Sequence, residues 1–195
     1  MRLFWMIKLT LLCLMMFAGA DVVVAQTSVP AGYAETLRWY HVQAEAGDPR
    51  AQFLLAIKYE TGTGVPQDRE KARELYNRAA RQGHADAQFK LATILASDAD
   101  YGVGSEDVRQ WYRAAALQGH GPAQFNLGLI LLRGARDADG LAEAISWIMR
   151  AEGGGVGQAL GVLEQIKAIY PETVVADARM LASLVIGKAN KTPEK

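Results

Sequence analysis

Gly83-His84-Ala85-Asp86-Ala87-Gln88-Phe89 decides the fold, because the chain writes this segment three times. The first copy is Gly47-Asp48-Pro49-Arg50-Ala51-Gln52-Phe53 and the third is Gly119-His120-Gly121-Pro122-Ala123-Gln124-Phe125, each 36 residues from the next. A worn fourth copy begins at Gly155, with Ala159 where Ala123 stood. Self-similarity at a period of roughly 20–50 residues marks a solenoid, whose units bury their apolar faces only against neighbours.

Each unit reads as two helices joined by a tight turn. Ala51, Leu55 and Tyr59 follow the i, i+4, i+8 spacing of one helical face, and Ala87-Leu91-Leu95 and Ala123-Leu127-Leu131 keep it. Gly62-Thr63-Gly64-Val65-Pro66 then breaks the helix, since Gly permits positive φ and Pro resists continuation. A second helix is predicted from Asp68 to Gln82, with Ala72, Leu75, Tyr76 and Ala79 on its buried face. One and two periods on, that face becomes Val108-Trp111-Tyr112-Ala115 and Ala144-Trp147-Ile148-Ala151. Subtracting a period places Trp39 and Tyr40 on a leading helix over 34–46. The alanines let helix axes approach, and Trp111, Trp147 and the tyrosines are expected to fill the layers between them. Gly83 and Gly119 are expected to end second helices in the left-handed conformation.

The run Tyr59-Glu60-Thr61-Gly62-Thr63-Gly64-Val65-Pro66-Gln67-Asp68 is followed by Lys71-Ala72, Tyr76, Ala79-Ala80 and Gly83-His84-Ala85-Asp86-Ala87-Gln88. Together these residues resemble the Sel-one-like repeat (SLR), a relative of the tetratricopeptide repeat. The likeness covers roughly 44–158 and is fullest in the first unit; the turns at 97–104 and 133–137 depart from it. It implies an all-α, right-handed α-solenoid of antiparallel helix pairs, used as a protein–protein interaction scaffold and in bacteria often exported. Some members of the family have been proposed to be β-lactamases, but these belong to a disulfide-stapled subset.

The domain plan starts with a leader over 1–25. Arg2 and Lys8 precede an apolar run that ends in small residues, the layout of a secretory signal peptide. Val23 and Ala25 suit the −3 and −1 positions, so cleavage is expected after Ala25, with Ala20 as the other choice. The uncharged stretch from Leu9 to Ala20 is 12 residues, short of the ~20 that a spanning helix needs. A linker over 26–33, a solenoid over 34–170, a capping helix over 171–188 and a polar, disordered tail over 189–195 complete the plan. The only cysteine, Cys13, lies in the leader. The mature chain therefore has neither thiol nor disulfide, which suits a periplasmic or secreted bacterial protein.

Composition narrows the partner. The chain carries 21 basic and 21 acidic residues, so no basic face calls for nucleic acid. After leader cleavage nothing calls for stable membrane insertion, and the expected partner is another protein, of the envelope or exported. No cofactor or metal is expected. His84 and His120 belong to the turn between repeats, His41 has no carboxylate cluster near it in sequence, and Gly153-Gly154-Gly155-Val156-Gly157 lacks the strand and Lys-Ser/Thr of a phosphate loop. These readings point to a non-catalytic adaptor or regulator of the cell envelope. A cell-envelope hydrolase or β-lactamase-like enzyme, and a structural subunit of an envelope assembly, are the competing classes.

Resemblance to tetratricopeptide arrays implies a candidate groove on one side of the first helices. Phe53, Phe89 and Phe125 stand two residues, or about 200°, from the alanines that face the second helix. Ile57, Thr93 and Leu129 follow them by one turn, and Arg50, Glu60 and Asp86 would supply a polar rim. Such a channel suits an extended or helical peptide. The competing reading is that the phenylalanines pack first helices of adjacent repeats together.

Overall fold

A computed structural model of the chain describes residues 31–189. The expected leader, most of the expected linker and the last six residues of the tail lie outside them. The described residues form helices throughout: α1 (Ala31–Glu45), α2 (Pro49–Thr61), α3 (Arg69–Arg81), α4 (Ala85–Ser97), α5 (Glu106–Leu117), α6 (Gly121–Gly134), α7 (Ala138–Gly153), α8 (Gly157–Ile169) and α9 (Glu172–Ala189). The pairs α2–α3, α4–α5 and α6–α7 are the antiparallel helix pairs of an all-α solenoid, and each second helix packs on the first helix of the next pair. Helix α1 starts at Ala31, inside the stretch 26–33 that the sequence suggested as linker.

Each repeat boundary is closed by the same backbone device. Gly83 has φ +88°; its N–H bonds Ala80 O at 3.0 Å and the His84 N–H bonds Ala79 O at 3.1 Å. This is a Schellman end, which needs a left-handed residue. Gly119 repeats it at φ +87° and Gly155 at φ +86°. The next helix then starts at once on a side-chain cap. Asp48 Oδ1 accepts from Ala51 N at 2.7 Å, His84 Nδ1 from Ala87 N at 3.3 Å and His120 Nδ1 from Ala123 N at 3.1 Å. Val156 occupies the same register before α8 and makes no such bond.

Burial follows the repeat. Ala51, Leu55, Ala72, Tyr76 and Ala79 form the first layer, and Ala87, Leu91, Val108, Tyr112 and Ala115 their counterparts. The last layer joins Leu141, Ile145 and Ile148 to Ala159, Leu163 and Ile166 of α8 and to Ala178 of α9. Small residues set the spacing of helices. A Cβ on Gly128 would stand 2.6 Å from Ile148 Cγ1 and 3.0 Å from Ala144 O, so α6 and α7 approach too closely there for any side chain. The tryptophans divide by position. Trp147 is 6% exposed, Trp111 is half-buried against two layers, and Trp39 is 55% exposed. The two tryptophans expected to fill layers are thus covered to different extents, and Trp39 of the leading helix is exposed.

Candidate functional site

The candidate groove residues lie along α2, α4 and α6, one set per repeat, and most of them are already engaged within the array. Phe53 stacks on His84 with ring centroids 4.7 Å apart and tilts against Tyr76 at 5.8 Å. One repeat on, Phe89 meets His120 at 4.6 Å and Tyr112 at 5.9 Å. The phenylalanine therefore touches the second helix of its own pair and the cap residue of the next, rather than standing clear of the second helix. The 200° offset misleads because Tyr76 and Tyr112 are long enough to reach around the helix to the ring. Phe125 lies half-buried against the last layer with Leu129, and Ile57 against the first.

The expected rim is partly a set of inter-repeat ties. Glu60 accepts from the Tyr76 hydroxyl at 2.6 Å and from Lys90 Nζ at 3.1 Å, which links α2, α3 and α4. Burial pushes its carboxyl pKa up, but the bonds from Tyr76 and Lys90 outweigh that and hold it below the usual carboxylate value. Burial, with the same bond to Glu60, pushes the Tyr76 phenol well above its ordinary range. Asp86 Oδ1 lies 3.3 Å from His120 Nε2, so a neutral His120 donates to Asp86 through Nε2 while its Nδ1 caps α6. Thr93 bonds the Phe89 carbonyl at 2.9 Å and approaches the Tyr112 hydroxyl at 3.3 Å. Arg50 and Asp86 are exposed, as are parts of Thr93. These remain the members of the set open to an incoming chain.

Sequence reasoning passed over a buried polar ladder. Gln52, Gln88 and Gln124 are buried, and each Nε2 bonds the carbonyl of Ala44, Ala80 or Ala116 on the preceding second helix, at 3.0–3.1 Å. Gln82 then donates to Gln52 Oε1 and Gln118 to Gln88 Oε1, both at 2.8 Å. The signal was in plain view as the invariant Gln of the repeated Ala-Gln-Phe. A polar residue amid an apolar face is the mark of an obligatory buried partner.

Among the described residues no group of three or more His, Cys, Asp or Glu side chains could hold a metal ion. No described helix is long and apolar enough to cross a membrane.

The comparisons agree with this geometry. The family model described as the Sel1 repeat matches residues 49–84, 109–120 and 121–151. The fold is similar to that of a Sel1 repeat protein from Oxalobacter formigenes, 28% identical with TM-score 0.59, over 68% of this chain and 54% of that one. It is also similar to a protective antigen present in uropathogenic Escherichia coli strains displaying an SLR fold, 29% identical with TM-score 0.60, over 83% of this chain and 34% of that one. The chain thus spans about half the length of the first and a third of the second. No curated protein matches it. Residues 49–84, 109–120 and 121–151 are thus matched as Sel1 (SLR) repeats, in an all-α solenoid with a tetratricopeptide-like fold. That fold is a repeat scaffold suited to protein–protein interaction.

Proposed function

We propose that this protein is an exported, non-catalytic Sel1-repeat adaptor or regulator that holds another protein in the bacterial cell envelope. The observation that carries the reading is the run of 36-residue units from Gly47 onward, matched by the Sel1 repeat model. Stacked units offer faces that recur at a fixed spacing, an arrangement suited to an extended partner. Export rests on the basic start, the apolar run and the small residues before Gln26, with Ala25 as the preferred cleavage point and Ala20 as the second. Within the array, Arg50 and Asp86 with the half-buried Phe53, Phe89 and Phe125 make the candidate groove, to which Ile57, Glu60, Thr93 and Leu129 contribute. Helix α9 would serve as the C-terminal cap of the array, a reading supported by Ala178, which joins the last layer.

Two measurements on protein from a native host test this. Intact mass after cell fractionation is expected to show an envelope species that begins at Gln26. Affinity capture by that species is expected to retain a defined protein, and the retention is expected to fall when Arg50 and Asp86 are charge-reversed together. A cytoplasmic species that starts at Met1 would contradict the export reading.

A further inference from the structure

A cleft of about 690 Å³ lies between α3 and α5, on the second-helix side of the first two repeats. Leu91 and Leu95 of α4 form its floor, and Trp111 and Tyr101 stand beside them. Glu70, Glu74 and Asp107 line it against Arg73 and Arg81. Arg73 is drawn to Asp98 at 3.8 Å, outside the cleft lining. The three carboxylates have no hydrogen bond or ion pair among the described residues, so the cleft holds an excess of uncompensated negative charge over an apolar floor.

The next junction, one repeat on, shows what is missing. There Arg113 Nη2 bonds Glu143 at 3.1 Å, and the Trp147 indole N–H donates to the same carboxylate at 3.4 Å. The guanidinium of Arg150 lies 4.3 Å over the Trp147 ring. Shifted back by 36 residues, Glu143 becomes Asp107 and Trp147 becomes Trp111, but Arg113 becomes Asn77 and Arg150 becomes Ala114. The first junction therefore keeps the carboxylate and the indole and lacks both cations. Its Trp111 is half-buried, and neither its N–H nor its ring face has the contacts that Trp147 enjoys.

We infer that this cleft binds a basic, apolar segment of a partner protein, whose arginine or lysine occupies the place that Arg113 and Arg150 fill at the second junction. The cation pairs with Asp107 and Glu74 and lies against the Trp111 ring, where a desolvated guanidinium is well held. A neighbouring aliphatic side chain covers Leu95 on the floor. This deepens the adaptor reading and rests on it, but names a surface distinct from the phenylalanine groove.

The probe is a fluorescein-labelled octapeptide of alternating arginine and leucine, with a glutamate–leucine octapeptide as control, titrated by anisotropy into the mature chain. The basic peptide is expected to bind and the acidic one not. Asn77→Arg, which restores the internal cation, and Glu74→Lys are each expected to weaken binding by at least about tenfold. Asp139→Lys, an exposed acid on α7, is expected to leave it unchanged. Asp107→Asn makes the same test without added bulk, should Asn77→Arg fail to fold by circular dichroism. Binding to Asn77→Arg or Asp107→Asn as tight as to the parent overturns the inference, as does equal binding of the acidic peptide or none of the basic one. Native capture that is lost on reversing Arg50 and Asp86 but untouched by Asn77→Arg would overturn the cleft alone and leave the adaptor reading standing.

Discussion

Gln82 reaches back across a repeat and donates from Nε2 to Gln52 Oε1 at 2.8 Å, and Gln118 does the same to Gln88 at the same distance. Because Gln52 and Gln88 in turn bond the preceding second helix, each pair ties three helices through two amides. At the third boundary Gly154 stands where Gln82 and Gln118 stood, and the tie is not repeated. Gln88→Ala is accordingly expected to lower stability by about 1–3 kcal/mol, since it removes a buried bond to the Ala80 carbonyl and the acceptor of one Gln118 N–H. Gln124→Ala, with one partner fewer, is expected to cost less. Urea unfolding of the two variants checks the order.

Gly128 is a position where size alone decides. Its missing Cβ would fall 2.6 Å from Ile148 Cγ1 and 3.2 Å from Ile148 N, the latter a backbone atom that cannot swing aside. Gly128→Ala is expected to destabilise by about 1–3 kcal/mol, as overpacking does. The equivalent positions, Ala56 and Ala92, already carry the methyl group in their own repeats. A thermal melt that matches the parent would mean that α6 and α7 do not approach as described.

Trp147→Ala is expected to cost about 3–5 kcal/mol, the range for a large residue removed from a core. Trp111→Ala is expected to cost less, because its ring is half-buried beside the cleft. Equal losses in chemical denaturation would place Trp111 in a closed layer.

Acid is expected to loosen the first repeat boundary through Glu60. Its carboxyl is held below the ordinary value of 4.5 in the folded chain. A depressed acid stabilises the fold fully above its unfolded value, and the contribution is lost as pH falls through the folded one. Stability should therefore drop on acidification below about pH 4.5, and Lys90→Met should flatten that limb by removing one of the groups that hold the carboxylate. Melting temperatures from pH 7 down to pH 3 for the two proteins test it.

The helix pairs were legible because their signals are local and repeated. Ala-Leu-Tyr and Ala-Leu-Leu fix the buried stripe of each first helix, and Gly83 and Gly119 fix the ends of the second. The site was less legible, because its chemistry lies between residues about 30 apart in sequence, such as Glu60 with Lys90 and Gln82 with Gln52. Helical periodicity places Phe53 on a face but says nothing of how far Tyr76 reaches to meet it. His84 and His120 read as turn residues, and only the geometry shows the ring nitrogen standing in for the Asp48 carboxylate as a helix cap. The difference between the two second-helix junctions is written plainly as Asn77 against Arg113, yet it carries meaning only once Asp107 and Glu143 are known to face those positions.

Photo-crosslinking in the native host tests most directly whether the array holds another protein. A photoreactive residue would replace Arg50, Asp86 or Gln110 in turn, with Asp139 as the position outside the candidate faces. Adducts to one defined protein are expected from Arg50, Asp86 or Gln110, and none from Asp139. Adducts from none of the three, in cells where the protein is made and folded, would contradict the adaptor reading.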